Sequence, residues 1–192
     1  GSRGEFLVYK RAQLADWVEP GDSVLDVGCG DLEVSRELPV EAYTGVDLSA
    51  AALAIARTKR PDWAFIEGQL RDLDVPGHDT VICFDVLIHQ PTQAAYRLLV
   101  ADLVRLAGRR LIVGAYDAPP ALTSEITFYY EPVTTSLARL VGPGAVRVVG
   151  IDVGQHDGGA LRGQPPGDGQ PDAACRAGDD GPAALQTMFA HL

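Results

Sequence analysis

An α/β fold, three layers deep around a mostly parallel central sheet, is what this sequence predicts. Three observations predict it. Short apolar runs of strand character recur between residues 22 and 116. Segments of helical character separate them, and such alternation implies right-handed crossovers, hence parallel strands covered on both faces. Glycines or polar residues punctuate the same end of each run: Gly28 and Gly30, Asp47, Gln69, Asp85. Open sheets of this kind bind ligands outside the carboxyl ends of their strands.

The elements follow in order. Ala12, Leu14, Ala15 and Val18 set an apolar stripe on a short helix over residues 10–18, broken by Pro20-Gly21-Asp22. Val24 to Val27 is the first strand. Asp31 to Leu38 is expected to be a helix whose N-terminus faces the glycines. Tyr43 to Leu48 is the second strand, and Ser49 is a fitting N-cap for an alanine-rich helix from Ala50 to Lys59. Ala64 to Glu67 and Asp79 to Asp85 give strands three and four. Pro91 to Ala107 opens with proline, suits a long helix and stops at Gly108. Leu111 to Tyr116 is the fifth strand. Beyond it, Ile126 to Tyr130 is β-prone, Thr134 to Val141 reads as a helix and Val146 to Val149 as a sixth strand.

The remainder differs in composition. Residues 151–192 hold eight glycines and four prolines, and two arginines stand against six aspartates. Residues 5–152 therefore read as the folded domain. Residues 153–192 read as a Gly/Pro-rich tail, loop or disordered, with one short C-terminal helix over Ala183 to His191. Gly, Pro, Ala, Asp and Arg also dominate when GC-rich DNA is read out of frame. Gly1-Ser2 resembles a cleaved expression tag, and the first residues lack the apolar core of a secretory signal.

Whole-chain numbers bound the function. The 192 residues carry 16 Lys and Arg against 26 Asp and Glu, a formal charge of −10. A nucleic-acid partner calls for a basic face, so none is expected. Arg57, Lys59 and Arg60 cluster, which fits a solvated helix end. The apolar runs are too short to span a bilayer. Three widely spaced cysteines, Cys29, Cys83 and Cys175, offer no paired metal-ligand spacing, so no metal is expected, and reduced thiols fit a cytoplasmic protein.

The run Ser23-Val24-Leu25-Asp26-Val27-Gly28-Cys29-Gly30 carries the chemistry. Glycine lets backbone approach a ligand closely, because no Cβ intervenes. An acid at the tip of the next strand, Asp47, can accept both hydroxyls of a ribose. Together they describe a pocket for a nucleoside-containing cofactor.

At this point the residues resemble the class I S-adenosylmethionine-dependent methyltransferases. Val24-Leu25-Asp26-Val27-Gly28-Cys29-Gly30 is similar to that family's first motif, and Tyr43-Thr44-Gly45-Val46-Asp47-Leu48-Ser49 to its second. Phe65-Ile66-Glu67-Gly68-Gln69-Leu70 resembles the third, and Ile82-Cys83-Phe84-Asp85-Val86-Leu87-Ile88-His89 the segment after strand four. The resemblance spans roughly residues 22–116 and implies a Rossmann-like sandwich, S-adenosylmethionine as cofactor and S-adenosylhomocysteine as product. It implies that the loop of Gly28, Cys29 and Gly30 passes under the amino-acid end of the cofactor, with Asp26 ordering that loop. Asp47 would take the ribose, Leu48 would flank the adenine, and Gln69 and Leu70 would meet its edge and face. Phe84 and Asp85 would border the methionine moiety. Three departures stand out: Leu32 replaces a glycine common two residues past Gly30, Gln69 replaces a frequent acid, and the tail offers no second strand to complete the family's terminal antiparallel pair.

Methyl transfer asks the protein mainly to align acceptor and methyl group, with a base where the acceptor must lose a proton. His89, just past strand four, is the candidate base; packing of the loop before Pro91 is the competing role. Tyr129, Tyr130 and Glu125 are candidates for an acceptor pocket or a half-buried strand. Tyr9 and Arg11 fit a solvated helix face better than a closure over the cofactor's carboxylate, and Asp117 fits a turn before Pro119-Pro120 better than a contact with the acceptor; His78 and His156 fit loops. The expected activity is methyl transfer to an O or N atom of a small-molecule acceptor, by a monomer or homodimer with no nucleic-acid or membrane partner. Two alternatives remain open: a degenerate binding module without turnover, and an NAD-dependent oxidoreductase. The oxidoreductase fingerprint wants Gly or Ala where this chain has Glu33.

Overall fold

The computed structural model describes residues 4–120, 125–150 and 185–191. Its sheet has seven strands: β1 (Val24–Val27), β2 (Tyr43–Asp47), β3 (Ala64–Glu67), β4 (His78–Phe84), β5 (Ala107–Tyr116), β6 (Val146–Gly150) and β7 (Leu185–His191). The order is β3-β2-β1-β4-β5-β7-β6. The first five are parallel, with Leu25 opposite Thr44 and Val81, and Val81 opposite Leu111. The helices are α1 (Glu5–Trp17), α2 (Ala50–Lys59), α3 (Gln93–Leu106) and α4 (Val133–Val141).

Strand periodicity divides the core in two. Leu25, Val81, Leu111 and Val113 point to one face, where Tyr96, Val100 and Leu103 of α3 and Leu137 of α4 cover them. Val24, Ile82 and Ile112 point to the other, under Leu14 of α1 and Leu53 and Ala56 of α2. Each buried face excludes water from apolar side chains, the main driving force of the fold. The caps are local: Ser49 Oγ accepts from Ala52 N at 3.2 Å and Thr92 Oγ1 from Ala95 N at 3.1 Å.

Four expectations are corrected. Residues 31–38 form successive turns rather than a helix. Leu32 sits at φ +65, and a helix cannot pass through a left-handed residue. Ile126 to Tyr130 joins no strand; it leaves a turn at residues 125–126 and lies against the turn Leu87–His89. Its backbone and side chains bond to that turn, so no sheet edge is needed. His78 opens β4 instead of occupying a loop. Leu185–His191 is strand β7, not a helix. It pairs antiparallel with both β5 and β6 and completes the terminal pair that the tail seemed to lack. The open edge of β5 needs backbone partners, and that demand outweighs local helix propensity. The loop reading of residues 153–182, and His156 and Cys175 with it, lies outside the described residues.

Candidate functional site

The carboxyl ends of β1, β2, β3 and β4 surround a cavity of about 690 Å³. Gly28, Cys29, Gly30, Asp47, Leu48, Gln69, Leu70, Phe84, Asp85 and His89 all line it. Asp26 does not.

The loop after β1 is shaped by backbone conformation. Gly28 and Gly30 take φ +80 and +55, a region that only glycine enters without cost. A Cβ on Gly28 would fall 2.2 Å from Val86 Cγ2, so the loop packs directly on the segment after β4. A Cβ on Gly30 would meet nothing within 4 Å; this glycine faces open cavity. Gly28 N and Cys29 N both donate to Val46 O, at 2.7 and 3.2 Å. Burial pushes the Cys29 thiol up, so it is a packed thiol rather than a thiolate.

Asp47 ends β2 and ties two loops together. Its Oδ2 accepts from Gly30 N and its Oδ1 from Ser49 N, both at 2.8 Å. Each carboxylate oxygen has a further lone-pair direction. The pair can therefore accept two hydroxyl protons from the cavity side.

Asp26 works from behind. Its Oδ2 accepts from Tyr43 Oη at 2.6 Å and from Ser35 Oγ at 2.7 Å. It anchors the turns of residues 31–37 to the sheet, one step removed from the glycines. Burial raises its carboxyl from the ordinary 3.8 to about 6, against the lowering effect of Tyr43 and Ser35.

At β4, Asp85 takes φ +63. Lys10 of α1, buried to 1% exposure, places Nζ 2.5 Å from Asp85 Oδ2 and 5.2 Å from the centre of the Phe84 ring. Sequence reading passed over Lys10. Its signal was present: Lys10, Leu14 and Val18 recur every fourth residue, and all three are buried. Arg11, on the adjacent face, donates through Nε and Nη2 to Glu33 O at 2.8 and 2.6 Å. Glu33 also pairs with Lys59 at 2.6 Å, which draws its carboxyl below the usual range. Cations from α1 and α2 thus pin the irregular segment that borders the cavity. The Tyr9 hydroxyl is buried without a hydrogen-bond partner among the described residues. Asp117 accepts from Thr134 N at 3.0 Å and so fastens the start of α4.

His89 lies on the cavity wall with Nδ1 2.6 Å from Ile126 O. Val86, Arg71, Leu98, Leu99 and Asp102 also reach the cavity. Val86 lies inside the resembled segment after strand four; the other four gave no signal, and nothing in the helical pattern marks which side of α3 meets the cavity. Glu125 is exposed and does not line the cavity, whereas Tyr130 Oη donates to Gln90 O at 2.9 Å. Among the described residues no three His, Cys, Asp or Glu side chains converge to hold a metal ion. No helix among them is long and apolar enough to cross a membrane.

Comparison with known proteins places the fold among methyltransferases. Residues 24–107 match the family described as "Methyltransferase domain". The magnesium-protoporphyrin O-methyltransferase of Synechocystis is 36% identical over 108 residues, 52% of this chain and 46% of that protein. The chloroplastic magnesium protoporphyrin IX methyltransferase of Arabidopsis thaliana is 35% identical over 119 residues, 58% of this chain and 35% of that protein. The chain therefore spans less than half the length of these relatives. The crystal structure of the Synechocystis PCC 6803 magnesium protoporphyrin IX methyltransferase with S-adenosylhomocysteine shares the fold, with a TM-score of 0.62 and 21% identity over 97% of this chain and 82% of that one. Residues 24–107 thus match a methyltransferase-domain family, and the strand order around them is that of a Rossmann-like fold.

Proposed function

We propose that this protein transfers a methyl group from S-adenosylmethionine to an oxygen or nitrogen atom of a small-molecule acceptor. The observation that carries the reading is Asp47. It stands at a strand tip, held by two backbone amides at 2.8 Å, with lone pairs left for a ribose. The open face of Gly30 beside it leaves room for the cofactor's backbone-hugging end.

When bound, the cofactor supplies a methyl group on a sulfonium, a leaving group that departs with the C–S electron pair. The chain's residues bind and orient. Asp47 takes the ribose hydroxyls, Leu48 and Leu70 enclose the adenine, and the Gln69 carbonyl oxygen accepts from its amino group. The glycine loop, Phe84 and Asp85 border the methionine moiety, with Asp26 supporting the loop through Ser35. His89 accepts the acceptor's proton as the new bond forms. The name of the Synechocystis relative favours oxygen as the accepting atom.

The absence of a helix over residues 31–38 disfavours a dinucleotide. A pyrophosphate wants the N-terminus of a helix at this point, and here it would meet turns and the Glu33 carboxylate. The charge of −10 disfavours a nucleic-acid acceptor. The basic cluster at the end of α2 is engaged locally: Lys59 pairs with Glu33, Arg60 pairs with Asp62 and stacks on Trp63, and Arg57 donates to Phe65 O. The unbridged thiols of Cys29 and Cys83 fit a cytoplasmic setting.

Calorimetric titration with S-adenosylhomocysteine, beside NAD, tests the reading. Micromolar binding of the first alone supports it. Binding of neither overturns it in favour of a degenerate module.

A further inference from the structure

We propose that residues 126–130 are a positioning strap for His89, and that the Ile126 carbonyl fixes its ring as the Nδ1–H tautomer with Tyr130 as the anchor. The inference deepens the reading of His89 as the base and rests on it.

Three hydrogen bonds join the strap to three consecutive residues. Phe128 N donates to Ile88 O at 2.7 Å. His89 Nδ1 lies 2.6 Å from Ile126 O. Tyr130 Oη donates to Gln90 O at 2.9 Å. The bonds fall on residues 126, 128 and 130, two through backbone atoms and one through the Tyr130 hydroxyl, so the strap is committed to this turn at both ends and in the middle. Tyr130 is itself wedged: its ring centre is 5.8 Å from Tyr96 of α3 and 6.3 Å from Phe128, the latter pair nearly parallel. Tyr96 is fastened to Ser136 of α4 at 3.0 Å. The strap therefore transmits the position of α3 and α4 to the turn that carries His89.

The chemistry of the contact decides the tautomer. A carbonyl oxygen only accepts, so the ring nitrogen facing it carries the proton. That leaves the Nε2 lone pair as the basic site. Histidine in water prefers the opposite form, with the proton on Nε2. The strap selects the less common tautomer and aims the only basic nitrogen away from Ile126. A proton taken at Nε2 gives an imidazolium whose Nδ1–H remains bonded to the carbonyl, a charge-assisted bond that strengthens as the charge forms.

The test is long-range proton–nitrogen NMR on protein labelled with ¹⁵N-histidine, at a pH about two units above the ordinary histidine value. Loss of one signal in His89→Gln assigns the residue. His78 is an internal control, because its Nδ1 faces Pro76 O at 2.9 Å, far from the strap. In the wild type, His89 and His78 are both expected in the Nδ1–H form. Tyr130→Ala is expected to move His89 towards the Nε2–H form and leave His78 unchanged. Tyr130→Phe, which keeps the ring packing and removes only the hydroxyl, is expected to move it part of the way; it carries the test if the alanine variant loses the His78 pattern by unfolding. An Nε2–H form of His89 in the wild type overturns the proposal. So does an unmoved His89 in the folded variants. Failure of the methyltransferase reading is seen separately, as absence of S-adenosylhomocysteine binding by the wild type.

Discussion

Leu32 carries a conflict within a single residue. Its side chain is fully buried, yet its backbone sits at φ +65, where the resembled family commonly has glycine. A left-handed L-residue costs roughly 1–2 kcal/mol. Leu32→Ala removes the packing and keeps that cost; Leu32→Gly removes both. Urea denaturation should therefore find the glycine variant more stable than the alanine variant by about 1 kcal/mol, the reverse of their ordinary order. Equal stabilities, or alanine ahead, would refute the strain. Asp47→Ala should weaken S-adenosylhomocysteine binding by roughly 1.5–3 kcal/mol, the range of hydrogen bonds to a charged group; unchanged affinity in calorimetry removes Asp47 from the site. For Asp26, the folded carboxyl titrates near 6 and the unfolded one near 3.8. Below both values the group is neutral in both states and costs nothing. Between them only the unfolded chain ionises, so folding loses stability as pH rises, and above about 6 the loss is constant. Asp26→Asn should thus gain on the wild type between pH 4 and 6, by up to about 3 kcal/mol, and then run parallel to it. Parallel curves throughout would place the ionised carboxylate in a better-solvated setting.

Among the elements, those whose signals are local were legible in sequence. The Ser49 cap, the apolar run of β1 and the glycine past β1 each act within a few residues, and the bounds of β1, α2 and β3 came out as read. What escaped was decided at a distance. The turns over residues 31–37 depend on Arg11 and Lys59 reaching in from other elements. The strap depends on a turn 37 residues earlier. Strand β7 depends on the edge of β5, about 70 residues away, and a weak helical pattern could not report that edge. In the site, the cavity-lining residues at strand tips were readable from motif position, whereas Lys10 required knowing which face of α1 is buried. The pairing of β7 on both sides gives an expectation of its own. Met188 stands opposite Val113 and Val148, and proline there removes an N–H and breaks the ladder. Met188→Pro should lower the thermal midpoint and the amide-exchange protection of Ile112, Val113 and Gly114, while Leu25 and Val81 keep theirs. Unaltered protection across β5 would show that β7 contributes no ladder.

For the whole molecule, ligand linkage is the measurable quantity. A ligand that binds only the folded state at about 100 times its Kd stabilises by about 2.7 kcal/mol. For a chain of 192 residues this corresponds to a rise in thermal midpoint of about 5–10 °C. S-adenosylhomocysteine should produce it and NAD should not; a shift with NAD of the same size would reopen the oxidoreductase reading. The sheet order has a consequence for biosynthesis. Strands β1 to β5 are complete once residue 116 has left the ribosome, but among the described residues β6 touches the sheet only through β7. Until residue 191 emerges, a nascent chain carries the unpaired edge of β5, with Leu111, Ile112 and Val113 along it. An open apolar edge is a template for intermolecular pairing. Translation that stalls between those two points leaves a chain with its ligand pocket already framed and its aggregation edge still uncovered.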